Sequence, residues 1–122
     1  MISRTTAVQV RRVYQASPGP SVRVLVDRIW PRGMTKARAN LDEWRKEIAP
    51  STALRTWYGH DRGRFEEFAS RYKAELTQEG RAAALGHLRD LAAGRTLTLL
   101  TATKQVDISA AAVLAEVLQE QS

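Results

Sequence analysis

Two periods of apolar residues divide the chain. Ala7 to Tyr14 alternates, with Val8 and Val10 apolar and Val13 following after a break, the pattern of a strand with one exposed face. Ser17-Pro18-Gly19-Pro20-Ser21 has the composition of a turn. Val22 to Arg28 then carries the continuous run Val24-Leu25-Val26, as in a strand covered on both faces. Pro31 cannot donate to a ladder, so pairing should stop before it, and Gly33 allows a turn. The short connection between these two strands suits antiparallel neighbours.

From Lys36 the period lengthens. Leu41, Trp44 and Ile48 recur at helical spacing, and Pro50 ends that segment. Ser51 is a good N-cap for a short helix carrying Leu54, Trp57 and Tyr58, with Gly59 closing it. Asp61 is the next N-cap candidate. Phe65, Phe68, Ala69, Tyr72 and Leu76 then form one apolar stripe, and Ala84, Leu85, Leu88, Leu91 and Ala92 form another, ended by Gly94. Thr96 to Thr101 is a third strand. After a loop over Thr103 to Ile108, Ser109 or Asp107 caps a last helix with Ala112, Val113, Ala115, Val117 and Leu118 at or near its buried face. The order β-β-α-α-α-α-β-α predicts one α/β domain over residues 1–122. Its two or three layers hold a short mixed, mainly parallel sheet flanked by helices.

The helical connection between the second and third strands is long enough to make them parallel neighbours, so both would end at one edge of the sheet. The loop Ile29–Lys36 would then face the loop Ala102–Ile108. Open α/β sheets place ligands at such an edge. Arg28, Arg32 and Lys36 would meet Thr101, Thr103 and Lys104 there.

Charge sharpens this picture. The net charge is +6, but residues 1–39 carry +7 and residues 40–122 carry −1. The basic excess therefore belongs to the part of the chain with the candidate site, and a phosphorylated ligand, a nucleic acid or an acidic partner would each fit. Cysteine is absent, which excludes disulfides, thiolate metal sites and a cysteine nucleophile. The polar start Met1–Thr6 is unlike a signal peptide, and no apolar run approaches the ~20 residues of a membrane span. A cytoplasmic protein without cofactor or membrane partner is expected; the oligomeric state is left open.

Arg28, Arg32 and Lys104, with the hydroxyls of Thr101 and Thr103, would make an anion pocket, because guanidinium forks match phosphate and carboxylate. The alternative is ordinary pairing with Asp27, Asp42, Glu43 or Asp107, worth ~0–1 kcal/mol per surface pair. Asp27 suits a general base at a strand end, or an ion-pair partner that fixes an arginine, the favoured reading. His60 suits a proton carrier, or a loop residue packed on Trp57. Trp44 reads as core. Trp30 is free to line a pocket, with Trp57 beneath it. No metal site is indicated, since His60 and His87 have no ligand spacing.

The segments Val24-Leu25-Val26-Asp27-Arg28-Ile29-Trp30-Pro31-Arg32-Gly33, Leu41-Asp42-Glu43-Trp44, Lys46-Glu47-Ile48-Ala49-Pro50-Ser51, Leu54-Arg55-Thr56-Trp57-Tyr58, His60-Asp61 and Leu99-Leu100-Thr101-Ala102-Thr103-Lys104 resemble the YeaO-like proteins, a bacterial family built on a domain of unknown function. The resemblance covers nearly the whole chain. It implies a compact α/β fold and a cytoplasmic single-domain protein, and it supplies no reaction. It also exposes a departure. Family members usually read Lys-Asp, then His, then Asn or Ser at the last helix, where this chain has Gln105, Ile108 and Ser109. An apolar Ile108 can neither transfer a proton nor bind a metal. If that histidine is catalytic in relatives, this chain is inactive or uses His60. Binding of a small anionic ligand leads the functional readings. A hydrolase or transferase using Asp27 or His60 comes second, and a nucleic-acid-binding protein with Trp30 stacking on bases comes third.

Overall fold

The computed structural model describes residues 7–16 and 19–120. Met1–Thr6 and the first two residues of the expected turn, Ser17 and Pro18, lie outside them. Four strands form one sheet: β1 (Ala7–Arg12), β2 (Val22–Leu25), β3 (Glu43–Trp44) and β4 (Thr96–Thr101). Its order is β1-β4-β2-β3, and every pair is parallel. The helices are α1 (Lys36–Ala39), α2 (Thr52–Tyr58), α3 (Phe65–Glu75), α4 (Glu79–Ala92) and α5 (Ala110–Glu120).

Alternation along the strands sorts side chains onto two faces. Val24, Val26, Leu97 and Leu99 point into the main core with Leu54, Phe68, Tyr72, Leu88, Leu114 and Leu118 from α2–α5. Leu25 and Leu100 point the other way, into a smaller cluster with Val13, Met34 and Ala39, against which Trp30, Leu41 and Trp44 pack.

Two sequence expectations are corrected. β1 and β2 are not antiparallel neighbours: β4 lies between them, parallel to both. Only nine residues separate the two strands in sequence, too few for a long helical crossover. A return of that length suffices because β1 has only six residues and extended chain covers ~3.3 Å per residue. Arg23 anchors this return, donating to the carbonyls of Gln15, Ala39 and Asn40 from a buried position.

The second correction concerns residues 36–50. The helix there is one turn long and stops at Asn40, whose φ of 48° is left-handed. Leu41 and Trp44 follow in extended chain, because Asp42 N and Arg45 N donate to the carbonyls of Arg23 and Leu25 and so build β3 onto β2. Those ladder bonds outweigh the helical spacing of three apolar residues.

Elsewhere the capping signals hold. Ser51 Oγ accepts from Leu54 N at the start of α2, Gly59 closes that helix at φ 53°, and Ser109 Oγ accepts from Ala112 N at the start of α5. The Glu75 carboxylate accepts from both Ser51 N and Ser51 Oγ, tying α2 to α3. On the outer edge of the sheet, Gln119 Nε2 donates to Val8 O, Arg11 Nη1 to Val10 O, and Arg12 N to Gln15 Oε1. Side chains thus occupy groups that an added strand would need. No helix among the described residues is long and apolar enough to cross a membrane.

Candidate functional site

Strands β2 and β4 run side by side, with Leu25 opposite Leu100, and leave the sheet at the same edge. Val26 N still bonds Leu100 O at 3.1 Å, so the two chains part only at Asp27 and Ala102. There the Asp27 carboxylate accepts from Ala102 N at 2.8 Å and from the Thr101 hydroxyl. Thr101 Oγ1 in turn accepts from Thr103 N at 3.1 Å. A side chain at one strand end thereby fixes the backbone at the other.

Beyond this junction opens a cavity of about 540 Å³. Asp27, Arg28, Trp30 and Arg32 line it from the β2 exit, Thr101 and Thr103 from the end of β4, and His60 from the turn after α2. Arg55, Thr56 and Tyr58 from α2 and Phe68 from α3 complete the wall, together with Pro31 and Pro50. A smaller cleft lined by His60, Thr103, Lys104 and Gln105 adjoins it. Lys104 therefore belongs to the neighbouring cleft, with His60 and Thr103 shared between the two. Lys36, the first residue of α1, and Trp57 line neither. The Trp57 ring instead faces α3, with the guanidinium groups of Arg71 and Arg64 4.3 and 5.3 Å from its centroid.

The aromatic contacts differ from expectation. Trp30 packs edge-on against Trp44, at 5.3 Å between centroids, and its Nε1 donates to Met34 O. Trp44 Nε1 donates to Asp27 O, so this pair supports the β2 exit from beneath. His60 lies 5.9 Å from the Tyr58 ring rather than on Trp57. Its φ of 56° is left-handed, which turns the chain sharply after α2. Asp61 caps the turn that follows by accepting from Gly63 N. His87 belongs to a separate cluster with Glu43 and Arg45.

Charge is arranged unevenly. Four cations around α3 and the turn before it are paired: Arg62 with Asp107, Arg64 with Asp61, Arg71 with Glu67 and Lys73 with Glu116. Arg28 and Arg32 are exposed and make no hydrogen bond or ion pair among the described residues. Asp27 makes no ion pair among them either, which corrects its reading as the partner of an arginine. Arg55 is held in part, donating to Pro50 O and Thr52 Oγ1.

Burial raises the pKa of Asp27, against the opposing pull of the Ala102 and Thr101 hydrogen bonds and of His60. A raised carboxyl pKa means that the folded chain holds this proton more readily than the unfolded one. The stability it brings is complete below the ordinary aspartate value and is lost as pH rises through the folded value. Asp27→Asn keeps an acceptor for Ala102 N and removes the charge. Its melting temperature should exceed that of the wild type at neutral pH, and the difference should shrink on acidification to about pH 4. Thermal melts at the two pH values measure it; a variant less stable than wild type at neutral pH would contradict the assignment.

A family model described as the inactive DUF488-N3 subclade matches residues 7–122. The chain is 49% identical over 116 residues to the uncharacterized protein Rv3073c of Mycobacterium tuberculosis, covering 94% of this chain and 96% of that protein. It is 41% identical over 116 residues to the uncharacterized protein YeaO of Escherichia coli K12, covering 92% and 96%. No solved structure matches.

Proposed function

The chain belongs to the YeaO-like DUF488 family, and from that premise we propose that it is a binding protein for a small phosphorylated ligand, held where β2 and β4 leave the sheet. One observation carries the reading: Arg28 and Arg32 line a cavity of ligand size with their guanidinium groups uncommitted, whereas Arg62, Arg64, Arg71 and Lys73 each have a carboxylate partner. Guanidinium forks bind phosphate with two parallel, charge-assisted hydrogen bonds. Arg55, Thr103 and the backbone around Ala102 supply further polar groups, and Trp30, Pro31 and Pro50 supply apolar surface.

Binding is favoured over turnover by what the cavity lacks and by the family. Asp27 has no second carboxylate on the cavity wall to share acid–base work. At Ile108 the chain carries an apolar residue, whose carbonyl accepts from the Tyr58 hydroxyl. The matching subclade is described as inactive.

Titration with inorganic phosphate, followed by tryptophan fluorescence, tests the proposal. A saturable change with a midpoint near or below about 1 mM, corresponding to ~4 kcal/mol of binding, is expected. Trp30→Phe should remove most of the signal. A flat response well above that concentration would refute the reading.

A further inference from the structure

The oddest feature of the cavity is that its carboxylate and its arginines leave each other alone. Arg28 follows Asp27 in sequence, and Arg32 and Arg55 line the same wall, yet Asp27 takes no ion pair among the described residues. A carboxylate has about four lone-pair sites, and the Ala102 amide and Thr101 hydroxyl use two of them. Acceptor capacity therefore remains on a group that lines the cavity. A half-buried carboxylate without a cation is costly unless something else supplies the positive charge.

Resting on the phosphate reading above, we propose that the ligand is dipolar: a small phosphorylated amine whose phosphate meets Arg28 and Arg32 and whose protonated nitrogen meets Asp27. Such a compound matches both signs of charge that the wall displays. It also suits the volume, because a cavity of about 540 Å³ leaves a lone phosphate ion surrounded by solvent. The other polar groups of the cavity and the adjoining cleft do not substitute for the amine. The Tyr58 hydroxyl is committed to Ile108 O. The Thr101 hydroxyl is already bonded to Asp27 itself. Lys104 opens onto the adjoining cleft. His60 also lines the cavity and acts on the Asp27 carboxylate through space, so the variants below separate its part from that of Asp27.

Calorimetric titration of the full chain near pH 7.5 with 2-aminoethyl phosphate and with ethyl phosphate separates the possibilities, because the two share an anionic head and differ in the ammonium. The amine should bind about tenfold or more tightly, the worth of one charge-assisted hydrogen bond. Asp27→Asn should bring the two affinities together, and His60→Gln should preserve the difference. Equal binding by wild type would overturn the dipolar ligand and leave phosphate binding standing. Binding of neither compound would overturn both. A preference that survives Asp27→Asn but disappears in His60→Gln would overturn the role of Asp27. The wild-type comparison stands whether or not a variant folds.

Discussion

Phe68→Ala should lower stability by about 3–5 kcal/mol, the cost of emptying a large aromatic site in a packed core. Phe68 is 2% exposed, its ring stacks on Tyr58 at 4.0 Å, and Tyr72 follows at 5.9 Å. Domains of this size are stable by only ~5–15 kcal/mol, so the variant should melt about 10–25 °C lower. Removing this ring also takes away the backing of Tyr58, a cavity-lining residue whose hydroxyl donates to Ile108 O. The exposed neighbour Glu66 provides the contrast: Glu66→Ala should change stability by no more than about 0.5 kcal/mol. Equal melting temperatures for the two variants would show that the aromatic stack does not organise the core.

The second large effect concerns the ligand. Each guanidinium–phosphate contact is a charge-assisted hydrogen bond worth roughly 1.5–3 kcal/mol. Arg28→Ala combined with Arg32→Ala should therefore weaken phosphate binding by about 100-fold or more. Stability should change little, because both side chains are exposed and bond to nothing among the described residues. That combination, lost affinity with an unchanged melting temperature, distinguishes a ligand contact from a structural one. The control is Arg71→Ala on α3, whose ion pair with Glu67 lies away from the cavity wall; it should leave phosphate affinity unchanged. An unchanged affinity in the double variant would mean that the phosphate sits elsewhere.

The parts of the fold written in local sequence were legible there. Ser51, Gly59, Asp61 and Ser109 cap the segments their chemistry suggests, and in the stripe from Phe65 to Leu76 the residues Phe68, Tyr72 and Leu76 are buried with Phe65 and Ala69 half-buried beside them. The parallel pairing of β2 with β4 follows from the long helical connection. Other features depend on partners distant in the chain. β3 is two residues long and exists because Arg23 and Leu25 offer carbonyls to Asp42 and Arg45. The return from β1 to β2 is held by a buried arginine in the middle of an apolar strand, with no local pattern to announce its carbonyl partners.

The candidate site divides in the same way. Asp27, Arg28, Trp30, Arg32, Thr101 and Thr103 could be placed together because they flank two adjacent strand ends. The opposite wall could not. Arg55, Tyr58 and Phe68 reach the cavity only because α2 and α3 fold back over the sheet edge, and their spacing reads simply as core and surface of two helices. Lys36 and Trp57 illustrate the converse. The first begins α1 and lines neither cavity nor cleft, and the second faces the guanidinium groups of Arg64 and Arg71.

Amide mapping in uniformly ¹⁵N-labelled protein tests the shared strand-end site most directly. Adding inorganic phosphate should shift the amide resonances of residues 27–30, 32, 55–56 and 101–103 together, with a common saturation curve and little change on α4. Shifts scattered over the basic surface without saturation, or centred on Lys36 and Arg38 instead, would contradict a pocket at the ends of β2 and β4.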